Sequence, residues 1–151
     1  MTTLTRPSII PDLALETVVR AWARDARRWR PLVHFAEPRV RIPLFANDEY
    51  EVRLLTWLPG QGSGIHDHGG SAGCMLLVEG SLWESIADER GYLHESRINA
   101  GSASSFAHDI VHTVENRGTV GAVSIHAYRP ALTEVQRYHL VDGRVTPLLA
   151  D

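Results

Sequence analysis

Two different spacings of apolar residues divide the chain. Leu13, Val18, Val19, Trp22, Ala26 and Trp29 recur at intervals of three and four, the spacing that gives a helix one apolar face. Pro11-Asp12 opens the run, with Asp12 a candidate N-cap, and Pro31 is expected to end it. Beyond Pro31 the period falls to two. Val40, Ile42 and Leu44 alternate with Arg39, Arg41 and Pro43, and Tyr50, Val52 and Leu54 alternate with Glu51 and Arg53. Successive side chains of a strand point to opposite faces, so this is the pattern of half-buried strands. Turn signals follow at short intervals, among them Asn47-Asp48, Pro59-Gly60, Gly69-Gly70, Glu79-Gly80, Arg90-Gly91 and Arg117-Gly118. Asp142-Gly143, between His139-Leu140-Val141 and Arg144-Val145, predicts a hairpin. The expected architecture is a single domain, 1–151: a helical lead over 1–35 and an all-β barrel over 39–147.

Composition narrows the chemistry. The chain has 151 residues and one cysteine, Cys74, so no internal disulfide is expected and a reducing cytoplasm is the default compartment. No apolar run approaches the ~18 residues of a membrane span, and no signal peptide is evident. All 15 basic residues are arginine. Schiff-base catalysis, pyridoxal phosphate and a P-loop need lysine and are excluded. Net charge is −3, placed unevenly, with eight arginines against four acids before residue 46. Arg20, Arg24, Arg27 and Arg28 sit opposite the apolar stripe and read as a solvated helix face, so no nucleic-acid partner is expected. No membrane and no obligate protein partner is implied either.

Eight histidines turn attention to metal or acid–base work. The stretch Gly60-Gln-Gly-Ser-Gly-Ile-His66-Asp-His68 places two imidazoles two residues apart. On a strand their Cα atoms would lie ~6.7 Å apart on one face, close enough to converge on one ion. His112, in the β-like run Ile110–Asn116, is the candidate third ligand. Three neutral imidazoles leave the other positions of an ion open, as a catalytic site requires.

These residues resemble a family. Gly60, His66, His68 and Gly80 match the first cupin motif, and Gly101, His112 and Asn116 match the second, with Ala107 and Asp109 in place of its proline and glycine. The first motif's glutamate is replaced by Gly73. A three-histidine site of that kind resembles the cysteine dioxygenase family of thiol dioxygenases. Ser124-Ile-His126-Ala-Tyr128 looks like that family's S-x-H-x-Y motif, Trp57-(x8)-His66 agrees with it, and Arg41 falls, with a one-residue gap, where the family keeps an arginine for the substrate carboxylate. The resemblance covers about residues 39–147. It implies a cupin-type β-barrel (jelly roll) preceded by a short α-helical segment. It also implies one non-haem Fe(2+) per chain held by His66, His68 and His112, and an enzyme acting on a small thiol and dioxygen.

The chemistry is coherent with the residues. A thiol near such a cation ionises, both oxygen atoms end on sulfur, and the product is a sulfinic acid. Arg41 would hold a carboxylate through two contacts, with Arg39, on the same face, its competitor; the alternative for Arg41 is a cross-strand pair with Glu51 or another acid. Ser124, His126 and Tyr128 share one strand face, so a hydrogen-bond relay would place the Tyr128 hydroxyl as a donor at the substrate. In mammalian members of the family a cysteine at the Gly73 position is cross-linked to the tyrosine. Here Cys74 is one step on and should face away, so no thioether to Tyr128 is expected. L-cysteine, giving cysteine sulfinic acid, is the first candidate substrate; 3-mercaptopropionate and a non-catalytic metal- or ligand-binding cupin module are the alternatives. Trp57 and Trp83 read as core or rim aromatics. His34, His94 and His139 have no visible partner, and His108 has only its proximity to His112.

Overall fold

The computed structural model describes residues 10–149. Helix α1 runs Ile10–Arg24; the side chains of residues 10–14, including Asp12 and Leu13, lie outside what is described. The helix is already formed at Ile10, so Asp12 sits inside it rather than at its cap. It also stops before the expected Pro31. Ala26–Arg28 and Arg30–Leu32 are short 3-10 turns, because the chain tightens to fold Trp29 back: its indole N–H donates to the Ala23 carbonyl at 3.4 Å. Trp29 thereby joins Leu15, Val19 and Trp22 in the core despite the break in the helix.

Ten strands follow: β1 (Arg41–Ala46), β2 (Glu51–Trp57), β3 (Ala72–Glu79), β4 (Ser81–Ala87), β5 (Leu93–Asn99), β6 (Ala103–Phe106), β7 (His112–Glu115), β8 (Ala122–Arg129), β9 (Tyr138–Val141) and β10 (Arg144–Pro147). They form a five-stranded antiparallel sheet, β1-β2-β8-β3-β6, a three-stranded sheet, β5-β4-β7, and the hairpin β9-β10. The expected turn at Asp142-Gly143 closes that hairpin, with φ of 52° and 77°.

The large sheet has two apolar faces. On one, Val52, Leu54, Cys74, Leu76, Val123, Ile125 and Ala127 pack under α1. On the other, Leu55, Trp57, Met75, Leu77 and Ala122 meet Leu82, Ile98 and Val114 of the small sheet. Gly80 carries the chain from one sheet to the other. Its φ is +83°, and a Cβ there would sit 2.8 Å from the Gly121 carbonyl oxygen, so only glycine fits the crossing. Isolated bridges Gly62–Glu115 and His66–His112 tie the β2–β3 connection to β7. Among the described residues no helix is long and apolar enough to cross a membrane.

Candidate metal centre and its pocket

His66 and His68 do not lie on a regular strand, as their spacing predicted. The segment with the glycines of Gly60–Gly64 forms no ladder, and isolated bridges from Gly62 to Glu115 and from His66 to His112 and Arg137 set its course instead. The convergence survives: ligand atoms of His66, His68 and His112 all lie within 4.8 Å of one another. The ring centroids are 4.7–4.9 Å apart.

Hydrogen bonds choose which nitrogen of each ring is left for an ion. His66 Nδ1 donates to the Gly64 carbonyl at 2.8 Å, which frees Nε2. His112 Nδ1 meets a buried carboxylate, Glu84 Oε2, at 2.6 Å, and Ser104 donates to the other Glu84 oxygen at 2.7 Å. Glu84 comes from β4, beside β7, and fixes the His112 ring in the way carboxylates orient metal-bound imidazoles. His68 is 1% exposed, and neither of its ring nitrogens has a hydrogen-bond partner. The Ile110 carbonyl acts on it electrostatically from outside hydrogen-bonding geometry. An unpartnered buried ring nitrogen is costly, and an ion would remove that cost. Burial, then the neighbouring His112, lowers the pKa of His66 to about 4 and of His68 to about 3. Both are neutral near pH 7, the form that binds metal. A divalent cation with a taste for nitrogen donors fits this site.

β8 supplies the second part of the site. Trp57 Nε1 donates to Ser124 Oγ at 2.9 Å. The buried Ser124 hydroxyl has no other acceptor among the described residues, so it is assigned as the donor to His126 Nε2 at 2.7 Å. His126 then carries its proton on Nδ1, 3.2 Å from the Tyr128 hydroxyl oxygen. In that tautomer the Tyr128 oxygen accepts from His126, which leaves the tyrosine proton free for an acceptor in the pocket that the residue lines. Desolvation drives the His126 pKa well below its usual value and pushes Tyr128 up to about 12, so both stay neutral. The Ser124–His126–Tyr128 order is legible in the sequence. Trp57 as its first donor is not, since nothing in the spacing shows which hydroxyl an indole on β2 meets.

The pocket of about 210 Å³ is lined by His66, His112, His126, Tyr128, Phe106 and a set of arginines. Arg41 reaches it and is exposed; Arg39 reaches it half-buried, its guanidinium 4.4 Å from the Trp57 ring centre. Burial, then Arg41, lowers the Arg39 pKa to about 10. Glu51 pairs with Arg53 at 2.6 Å rather than with Arg41. Arg137 joins the two from the segment before β9.

Gly73 and Cys74 fall as expected on opposite faces. Gly73 is in register with Tyr128 and Phe106, while Cys74, opposite Ala127, is buried under the helix. A Cβ on Gly73 would lie 2.3 Å from the Phe106 ring, which stacks on His68 with centroids 4.2 Å apart. Asn116 ties two segments together, its amide donating to the carbonyls of Trp57 and Val120, both at 2.9 Å. His94 pairs with Asp88 at 2.7 Å, a partner six residues back that the sequence reading missed, and His108 is exposed in a turn.

The chain is similar to known proteins. The chain is 26% identical over 127 residues to human "Cysteine dioxygenase type 1", covering 77% of this chain and 64% of that protein. It therefore spans just under two thirds of the length of the curated relatives it matches. A crystal structure of a Thermus thermophilus protein superposes with a TM-score of 0.60 at 22% identity, covering 68% of this chain and 93% of that one. The Cnp3 cupin domain of Schizosaccharomyces pombe gives 0.57 at 9% identity, covering 66% and 65%. These two likenesses identify the cupin fold. The family model for cysteine dioxygenase type I matches residues 12–140, and to that family the chain belongs.

Proposed function

We propose that the protein is an iron-dependent thiol dioxygenase that adds both atoms of dioxygen to the sulfur of a small thiol carboxylate, with L-cysteine, giving cysteine sulfinate, the first candidate. The observation that carries this reading is His68: a buried imidazole with no hydrogen-bond partner, its ligand atom within 4.8 Å of those of His66 and His112, which line the pocket. His66, His68 and His112 would hold Fe(2+). Bound there, ferrous iron supplies the positive charge that keeps a substrate thiol ionised and the redox capacity to activate dioxygen.

The remaining roles belong to the protein. Arg41 anchors the substrate carboxylate and so fixes the sulfur toward the histidines. Tyr128 donates its hydroxyl proton into the pocket as a hydrogen bond, and the Trp57–Ser124–His126 chain keeps it from donating backward. Phe106 and Leu55 exclude water from the reacting side. Glu84 holds the His112 ring in one orientation. The single cysteine agrees with a cytoplasmic setting.

The test is oxygen uptake by the Fe(2+)-loaded protein with L-cysteine and, separately, 3-mercaptopropionate, with the product identified by mass spectrometry. Uptake coupled one-to-one to sulfinate is the expected result, and the ratio of the two kcat/KM values ranks the substrates. Absence of uptake with either, at full iron loading, would remove the reading in favour of a binding module.

A further inference from the structure

The pocket carries more positive charge than one carboxylate requires. Four arginines line it, and only Arg53 is neutralised, by Glu51. Among the described residues, Arg39, Arg41 and Arg137 have no carboxylate within ion-pair distance. The acids near them are Glu134 in the pocket wall and Glu37 at its outer mouth, both exposed and paired with neither.

The three guanidiniums are held, not loosely displayed. Arg39 lies on the Trp57 ring, which is itself 1% exposed. Arg137 is bridged through its backbone to His66, its Nη1 donates to the Ser63 carbonyl at 2.5 Å, and the residue lines the cleft. Arg41 stands two residues from Arg39, on the same face. Arg39, Arg41 and Arg137 also line the recess that continues outward from the pocket. A guanidinium binds one carboxylate in a two-pronged contact, so a monocarboxylate occupies one of the three. The others line the same cleft, half-buried in one case, without an ion-pair partner. An ammonium placed beside them would meet like charge.

We infer that Arg39 and Arg137 form a second anion subsite beside Arg41, and that a thiol bearing two carboxylates is a substrate of this pocket, bound more tightly than a thiol bearing one. This rests on the dioxygenase reading for its reaction but not for its binding. The reaction needs no further reagent: the thiol R–SH and O2 give the sulfinate R–SO2⁻ and one proton, the sulfur losing four electrons and dioxygen gaining four. The S–H bond breaks and two S–O bonds form.

Mercaptosuccinate is the discriminating probe, because it is 3-mercaptopropionate with one carboxylate added to the sulfur-bearing carbon. With Fe(2+)-loaded protein, kcat/KM for mercaptosuccinate should exceed that for 3-mercaptopropionate at least tenfold, the difference lying in KM. Arg137→Gln, at an exposed residue, and Arg39→Gln should each bring that ratio to within about twofold. Calorimetric titration with thiol-free succinate and propionate reads the subsite without turnover. Succinate should bind at least tenfold more tightly, and lose that margin in both variants. Equal efficiency for the two thiols, or variants that weaken both thiols alike, would overturn the proposal. Selective succinate binding with no thiol turned over would remove the dioxygenase reading and leave the subsite. Turnover of thiols with succinate and propionate bound equally would do the reverse.

Discussion

The two faces of the five-stranded sheet are built from the same strands yet do different work. Along β8, Val123, Ile125 and Ala127 look toward α1, while Ser124, His126 and Tyr128 look toward the pocket. All six are buried, so the difference is one of chemistry and not of exposure. The helix face is apolar and satisfied by contact. On the opposite face β8 adds three polar groups to an otherwise apolar surface, and each needs a specific partner, supplied in a chain from Trp57 to Tyr128. One strand thus carries both scaffold and chemistry, and a shift of one residue would exchange them.

The largest expected effect is on the pocket side. His112→Ala should reduce bound iron, read by atomic absorption after desalting, from one per chain to near zero; iron retained at full stoichiometry would remove His112 from the ligand set. Next comes the helix side. Leu54→Ala deletes a side chain with no exposed surface and should cost about 2–5 kcal/mol of unfolding free energy by denaturant titration. Iron stoichiometry of the folded fraction should be unchanged, and a joint loss would mean that the two faces are not separable. Glu84→Gln removes the charge that orients His112 and should weaken iron about 10- to 100-fold in a chelator competition, with folding intact. Unaltered affinity would leave Glu84 a packing residue. The smallest effect belongs to Cys74. Its intact mass should equal the sequence mass, apart from terminal processing, with no loss of about 2 Da, and Cys74→Ala should leave turnover as it was.

Much of this division is visible in the amino-acid order. Ser124-Ile-His126-Ala-Tyr128 states its two faces directly, and adjacent Gly73 and Cys74 must part for the same reason. The histidine triad is readable from its spacing, though the expected strand beneath His66 and His68 is an irregular segment, whose course is set by isolated bridges to residues distant in sequence. Hidden are the contacts between elements remote in sequence. Glu84 reaches His112 across 28 positions, and Trp57 reaches Ser124 across 67. Neither follows from local period, since both depend on which strands become neighbours. The end of α1 departs from the apolar pattern for a related reason: a bond from Trp29 to Ala23 shortens the helix where the period continues.

The Phe106 ring, resting on His68 and filling the space beside Gly73, also constrains how this pocket can change over generations. Replacing Gly73 with cysteine, the residue mammalian members of the family carry there, would drive a side chain into that ring. Trimming Phe106 first would open a void against a candidate iron ligand. Each single step disturbs the packing between Gly73 and Phe106, so the two positions should be coupled. On this packing, a side chain at position 73 requires the Phe106 ring to move or shrink, so the two positions would have to change in concert.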